Sequence, residues 1–382
     1  MPLLPFLANC LRGQSLSAKW TTGSRRAATR LKQNDFSAKR LLSNSFSANG
    51  LPDNRCLANG FKSAMLALLT ITSFCLPQAH AQDSYPSKPI RMIVPLAAGS
   101  AVDGAARLLT AKMSQNMGQP IVIENLAGSS GLIGADRIAK AAPDGYTIGG
   151  VNDSILTMLP HIYSNIPWNA LKDFEPISLV ATIEWGIVVA DQSPYKTLND
   201  FIAAAKANPG KINYGSGGSG SPQHIAMALF AQRTGIDLVH VPYKGATPAA
   251  IAAAAGQVEV SYQGLGTVTS LIQGGKLRLL AVSTPERLAQ YPDVPTVVQA
   301  GISDFFFNSW FAMIAPAGTP KPIIDKLNAE MQQALIDPQT RERLVALGVT
   351  IRGTSAAEFS QATEKQYALY GKLIKDNKIQ AD

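Results

Sequence analysis

Across 382 residues, 34 Lys and Arg stand against 26 Asp and Glu, a net charge of +8, and the whole excess lies before residue 63, where ten basic side chains meet only Asp35 and Asp53. From Gln82 onward the charges balance, which argues against a nucleic-acid binder, because such proteins carry a net basic stripe on the folded domain. Cys10, Cys56 and Cys75 are the cysteines of the chain, and all precede Gln82, so the body has no thiol nucleophile, disulfide or thiolate metal site.

In chain order, residues 1–60 are rich in Ser, Asn, Ala and Arg and bury too little apolar surface to offset their ordering entropy. They read either as a disordered leader extension or as translated sequence upstream of the true start, with Met65 or a nearby codon as the beginning. Residues 61–81 then follow the secretory pattern: Lys62 in front, an apolar run from Met65 to Leu76, and Ala79-His80-Ala81 as an A-x-A cleavage site. The apolar run is about a dozen residues, short of the roughly 20 that cross a bilayer. The expectation is cleavage after Ala81 and a periplasmic mature protein.

Beyond Gln82, about 300 residues remain, enough for two domains at roughly 100–200 residues each. Short apolar runs at Ile90–Leu96, Ile121–Glu124, Thr147–Val151, Trp185–Ala190, Lys211–Tyr214, Leu238–Tyr243, Val258–Tyr262 and Leu277–Val282 read as strands. Helix-like stretches lie among them at Val102–Asn116, Gly131–Ala141, Thr197–Ala207, Gln223–Gly235, Pro248–Ala255 and Val268–Gly274. Strands that are apolar on both faces and separated by helices predict an α/β fold with mainly parallel sheets flanked by helices. The aromatic run Phe305–Ile314 predicts a further strand, and Asp325–Leu335 and Ala356–Ile374 show helical spacing. A chain that builds one lobe, builds a second and returns to finish the first reads this way. The predicted layout is 84–184 plus 305–382 for lobe 1 and 185–304 for lobe 2.

Two loops stand out as binding candidates. Pro95-Leu-Ala-Ala-Gly-Ser-Ala-Val-Asp103 and Tyr214-Gly-Ser-Gly-Gly-Ser-Gly-Ser-Pro-Gln-His224 each leave a strand and enter a helix. A helix N-terminus presents unpaired N–H groups and a partial positive charge, so it holds an anion without Lys or Arg. Glycines let the anion approach the backbone, and the hydroxyls of Ser100, Ser216, Ser219 and Ser221 can donate. The plainer alternative makes both loops ordinary strand-to-helix turns, with Asp103 and Ser221 as helix caps. Gly215, Gly217 and Gly220 also spell G-x-G-x-x-G, but the next strand ends in Tyr243-Lys244 where a nucleotide site needs an acid. His161, His224 and His240 are too scattered for a metal site, and Ser219 has no neighbouring base to activate it. The chain therefore reads as a protein without cofactor, resident metal or catalytic residues.

These same segments resemble the Bug (Bordetella uptake gene) family, the periplasmic substrate-binding proteins of tripartite tricarboxylate transporters. The likeness runs through Tyr85-Pro-Ser-Lys-Pro-Ile-Arg-Met-Ile-Val-Pro95, Gly118-Gln-Pro-Ile-Val-Ile-Glu-Asn125, Gly128-Ser-Ser-Gly131, Ala141-Ala-Pro-Asp-Gly-Tyr146 and Asp173-Phe-Glu-Pro-Ile-Ser178. It continues in the Gly215–His224 loop, Val239-His-Val-Pro-Tyr-Lys-Gly245, Gly274-Gly-Lys-Leu-Arg-Leu-Leu-Ala-Val282 and Trp310–Pro320. The resemblance implies a two-lobe, Venus-flytrap binding protein, a monomer that closes on a small carboxylate and serves the membrane permease subunits of a transporter. It implies that loops Leu96–Asp103 and Ser216–Ser221 hold the ligand. The candidate ligand-binding residues are then Leu96, Ala98, Gly99, Ser100 and Asp103; Asn152 and Ser154; Ser216, Gly217, Gly218, Ser219, Ser221 and His224; and Gln263. Two departures stand out: Gly99-Ser100 replaces a pair of glycines, and Asn152-Asp153-Ser154 replaces small hydroxyl residues. Because Asp103 or Asp153 would repel a second negative charge if it faced the pocket unpaired, the expected ligand is a monocarboxylate, or an amino or aromatic acid, rather than a tricarboxylate such as citrate. A ligand sensor presenting its closed form to a membrane partner, and a periplasmic enzyme, are the competing readings.

Overall fold

The computed structural model describes residues 85–303 and 305–381; the leader, the signal segment and the Ala81 cleavage site lie outside them. Strand β1 (Ile90–Val94) is fully buried except for Arg91, so it needs cover on both faces. Helix α1 (Ala101–Met117) supplies part of it. Ser100 caps its first turn, Gly118 ends it in the left-handed conformation, and Ala105, Ala106, Leu109 and Met113 form its buried stripe. Strands β2 (Ile121–Asn125) and β3 (Thr147–Asn152) pair with β1 in parallel, one on each side. Between them run a single 3₁₀ turn (Ser129–Gly131) and helix α2 (Leu132–Ala139).

After β3 the chain forms a π-helical turn (Ser154–Met158) and the short helix α3 (Leu159–Ile162), then the long strand β4 (Phe174–Ile183). Only Glu184 separates β4 from β5 (Trp185–Ala190), which belongs to a different sheet. That second sheet is built from one continuous stretch. Helix α4 (Leu198–Ala207), opened by a Thr197/Asp200 capping box, leads to β6 (Asn213–Ser216) and α5 (Pro222–Thr234). Strand β7 (Val239–Pro242), α6 (Ala246–Ala254), β8 (Val260–Gly264), α7 (Leu265–Gln273) and β9 (Leu277–Val282) follow. The chain then returns to the first sheet as β10 (Ser309–Pro316). Helices α8 (Lys321–Ile336) and α9 (Pro338–Ala346), strand β11 (Val349–Ile351) and α10 (Ala356–Asp376) complete it.

The sheet orders are β11-β4-β10-β3-β1-β2 and β7-β6-β8-β5-β9. Both are α/β sheets flanked by helices, but they are mixed rather than mainly parallel. The parallel ladders are β2-β1-β3 and β7-β6-β8, and every ladder made by β4, β5, β9, β10 or β11 is antiparallel. The cause is the returning chain: β10 enters the first sheet from the opposite end, and β5 enters the second directly from β4 without a crossover helix. Strand β4 escaped the sequence reading because Pro176 interrupts its apolar run, and proline argues against a central strand. Here β11 reaches only Ala181–Ile183, so on that side Pro176 lies beyond the ladder and lacks no partner.

The core runs beneath both sheets. Phe305 and Phe307, just before β10, pack edge-on against Phe230 and against Trp185 and Tyr262 respectively. The aromatic run is thus core where the chain passes between the sheets. Among the described residues no helix is long and apolar enough to cross a membrane, and no group of three His, Cys, Asp or Glu could hold a metal ion.

Candidate functional site

In open α/β sheets, ligands bind beyond the carboxyl ends of parallel strands. Here the loops after β1, β2 and β3 meet those after β6, β7 and β8 around one cavity, which encloses about 580 Å³ of non-atom space, part of it open to solvent. Side chains and backbone from both sheets wall it, and among the described residues no lining residue carries a charge. Two long helices start at its wall: α1 at Ser100-Ala101 and α5 at Ser221-Pro222. Each serine caps its own helix, Ser100 Oγ accepting from the Asp103 N–H at 3.3 Å and Ser221 Oγ from the His224 N–H at 3.3 Å. The positive ends of two helix dipoles therefore face a space without cationic side chains.

The two groups of loops touch over the cavity. Thr247 Oγ1 donates to the Ala98 carbonyl at 2.9 Å, and the Ala101 N–H donates to Thr267 Oγ1 at 3.0 Å. Ser130 Oγ and Tyr163 OH both donate to the Ser219 carbonyl, at 2.5 and 3.1 Å. These approaches depend on glycine. Gly218, at φ +118°, lies so close to the other side that a Cβ would sit 2.6 Å from Ser130 Oγ. Gly245, at φ +125°, would place its Cβ 2.7 Å from that of Ala97.

Of the candidates, Leu96, Ser100, Asn152, Ser154, Gly217 and Ser221 line the cavity. The others lie off its wall and hold the loops in shape. The Ala98 carbonyl takes the Thr247 bond, and the Gly99 N–H donates to Asp103 Oδ2 at 2.9 Å. Ser216 Oγ lies 2.5 Å from His240 Nε2 and accepts from the Gly218 N–H at 3.1 Å. Ser219 contributes its carbonyl as above. His224 Nδ1 accepts from the Gly220 N–H at 3.1 Å, and its ring stacks parallel on His240 at 4.2 Å. Gln263 is fully buried, with Nε2 donating to Ser261 Oγ at 2.8 Å.

Neither aspartate faces the cavity. Asp103 turns away from it, accepting from Arg107 Nε at 3.0 Å and Asn125 Nδ2 at 2.9 Å as well as from Gly99. Burial alone would raise its carboxyl, but those hydrogen bonds and the guanidinium charge outweigh it and hold the group below the usual carboxylate range. Its charge is thus matched by Arg107 before any ligand arrives. Asp153 is buried behind Ser309, which donates to its Oδ1. The expected repulsion of a multiply charged ligand therefore loses its basis at Asp103, which Arg107 pairs, while Asp153, withdrawn behind Ser309, carries no such partner among the described residues.

Sequence reasoning missed Trp185, Gln223, Thr267, Ser130 and Ser309, all at the wall. Gln223 sits one residue beyond the N1 proline of α5, within the loop already singled out. Ser130 lies in Gly128-Ser-Ser-Gly131, where both serines adopt positive φ, a strained turn of the kind that marks function. Trp185 and Ser309 gave no local signal, because only the crossing between sheets brings them here. Among the described residues three buried polar atoms at the wall have no partner: Asn152 Oδ1, Ser154 Oγ and Trp185 Nε1. Ser154 begins a π-helical turn, a rare irregularity that recurs at functional sites.

The family model for the tripartite tricarboxylate transporter family receptor matches residues 105–379. Protein BugT of Bordetella pertussis is 36% identical over 273 residues, covering 70% of this chain and 82% of its own. A solved structure of a periplasmic transporter is 38% identical with a TM-score of 0.76, covering 78% of this chain and 100% of that one. The structure of MatC from Rhodopseudomonas palustris with bound malate is 30% identical with a TM-score of 0.73, covering 76% of this chain and 100% of that one.

Proposed function

We propose that this chain, which belongs to the tripartite tricarboxylate transporter receptor family, is a periplasmic receptor that closes on a small carboxylate and presents it to membrane permease subunits. The observation that carries the reading is the uncharged cavity at the strand ends of both sheets, with two helix N-termini and three unpartnered buried polar atoms at its wall. Buried polar groups are nearly always hydrogen-bonded in a finished structure, and a bound ligand is the partner these lack. Helix-dipole contacts are each worth about 0.3–1 kcal/mol, up to roughly 2 when partly buried, so several of them hold a carboxylate without lysine or arginine. The apolar part of the wall (Leu96, Val102, Ile183 and Trp185) suits a short carbon skeleton. The malate bound to MatC supports a dicarboxylate as the ligand class.

In this reading the lobes are 84–184 plus 305–382, and 185–304. They close as a monomer, and the molecule captures rather than transforms its ligand. A thermal-shift screen of residues 82–382 against mono-, di- and tricarboxylates tests it. A carboxylate at 100 times its Kd should add about 2.7 kcal/mol of stability, and no shift with any member of the panel would remove the proposal. The mature protein is further proposed to begin at Gln82, after the Ala79-His80-Ala81 site. N-terminal sequencing of exported protein checks this, and a start elsewhere, or a lipid on Cys75, refutes it.

A further inference from the structure

Directly behind the cavity wall lies a carboxyl group that ligand capture as described does not use. Asp153 stands between Asn152 and Ser154, two residues that face the cavity, at the point where β3 passes into the π-helical turn. It is fully buried. Its Oδ1 accepts from the hydroxyl of Ser309, a residue that itself lines the cavity, and its Oδ2 has no partner among the described residues. A single side chain thus separates a buried acid from the space assigned to the ligand.

Among the described residues the elements packed around Asp153 offer no counter-charge: the short helix α3 packs on the π-helical turn and carries His161, but burial holds that imidazole below its ordinary range, so it is neutral near pH 7. Strand β10 contributes Ser309, and the π-helical turn contributes its own backbone N–H groups. Helix α10 packs on that turn and contributes Tyr370. Burial, and then the charge of Asp153, hold the Tyr370 phenol well above its ordinary range, so it is neutral near pH 7. Among the described residues no ion pair reaches Asp153. Burial pushes its carboxyl up to about 7 against the opposing pull of Ser309 and of the backbone N–H groups of Asp153 and Ser154.

We propose that Asp153 makes ligand capture proton-linked: the receptor takes up a carboxylate anion together with one proton, which Asp153 holds. The inference rests on the carboxylate-receptor reading and deepens it. While Asp153 is ionised, the Ser309 hydroxyl proton is committed to it, so the serine turns only lone pairs to the cavity, and a buried like charge lies one side chain from the ligand. Once Asp153 is protonated, its O–H donates to Ser309 Oγ, and the serine proton is free to swing toward the ligand anion. One protonation therefore removes a repulsion and creates a donor. By reciprocity, the bound anion raises the proton affinity of Asp153.

The sign follows. As pH falls below about 7 the acid becomes neutral and affinity levels off. Above pH 7 each ligand must bring a proton with it, so affinity falls as pH rises. Calorimetry with malate and with adipate, each in two buffers of different ionisation enthalpy, measures this at pH 6.5 to 8.5, where the ligand carboxyls stay ionised. Wild-type protein should take up close to one proton at the upper end and lose about twentyfold in affinity across the range, within the usual span of coupling between sites. The Asp153→Asn variant keeps the acceptor for Ser309 and should bind without proton uptake and without a pH slope. A wild-type affinity that is flat in pH with no proton uptake overturns the proposal, as does a slope that survives in Asp153→Asn. The wild-type proton count decides even if the variant fails to fold. Failure of every carboxylate to bind at any pH is a different result, and removes the receptor reading itself.

Discussion

Gly245→Ala should weaken carboxylate binding about a hundredfold, equivalent to about 2.7 kcal/mol, while leaving both sheets folded. Gly245 follows β7 at φ +125° and faces Ala97 of the loop after β1, where an added Cβ would stand 2.7 Å from the Ala97 Cβ. Carbon atoms do not tolerate that distance, so the loops must part. The Thr247–Ala98 and Ala101–Thr267 hydrogen bonds lie beside this contact and would part with it. Small-angle scattering should show wild-type protein compacting when a bound carboxylate is added and Gly245→Ala failing to do so. Pairing it with Ala97→Gly relieves the overlap but not the backbone strain, which costs of order 1–3 kcal/mol, so the double variant should recover part of the affinity. Undiminished binding by Gly245→Ala would mean that the two loop groups need not meet.

The largest loss of stability is expected at Phe311. Its ring is fully buried on β10, opposite Asn152 of β3 on one side and Ala181 of β4 on the other. Phe311→Ala should cost about 3–5 kcal/mol, the range for a large aromatic removed from a rigid core. At roughly 2–4 °C per kcal/mol for chains of this order, the melting temperature should drop by about 10 °C. Denaturant unfolding and calorimetry both read this. A drop of under about 3 °C would show that the interior around β10 collapses to fill the space.

Much of the fold could be read from the chain because its physics is local. The strands β1, β5, β8 and β9 are short apolar runs, and α1, α4 and α5 carry their own stop and start signals in Ser100, Gly118, Thr197 with Asp200, Ser221 and Gly235. What could not be read depends on distant partners. Pro176 looks like a strand breaker until one sees that β11 ends short of it. Strand direction in β10 follows from where the chain re-enters, which no local pattern encodes.

The candidate site divides in the same way. Ser100, Gly217 and Ser221 were legible because a helix start advertises itself in sequence. Asn152 and Ser154 came only from the position of a departure from the Bug pattern. Trp185 and Ser309 bracket the second sheet in sequence, and they meet at the cavity only because the chain leaves and returns through it. Asp103 shows the limit of reading charge from sequence. An acid in an anion-binding loop looks repulsive, yet Arg107, one helical turn on, neutralises it.

The position of β10 also sets an order on folding. It lies between β3 and β4, yet in sequence it follows the whole of the second sheet. Until it arrives, β3 and β4 have facing edges with nothing between them, and both are largely apolar. Unpaired apolar edges are where chains associate wrongly. The second sheet, drawn from one uninterrupted stretch, pairs strands that lie closer in sequence than those joined by β10 and β11, so it closes shorter loops and has the faster route to completion. The half of the molecule that begins first is therefore the half that finishes last.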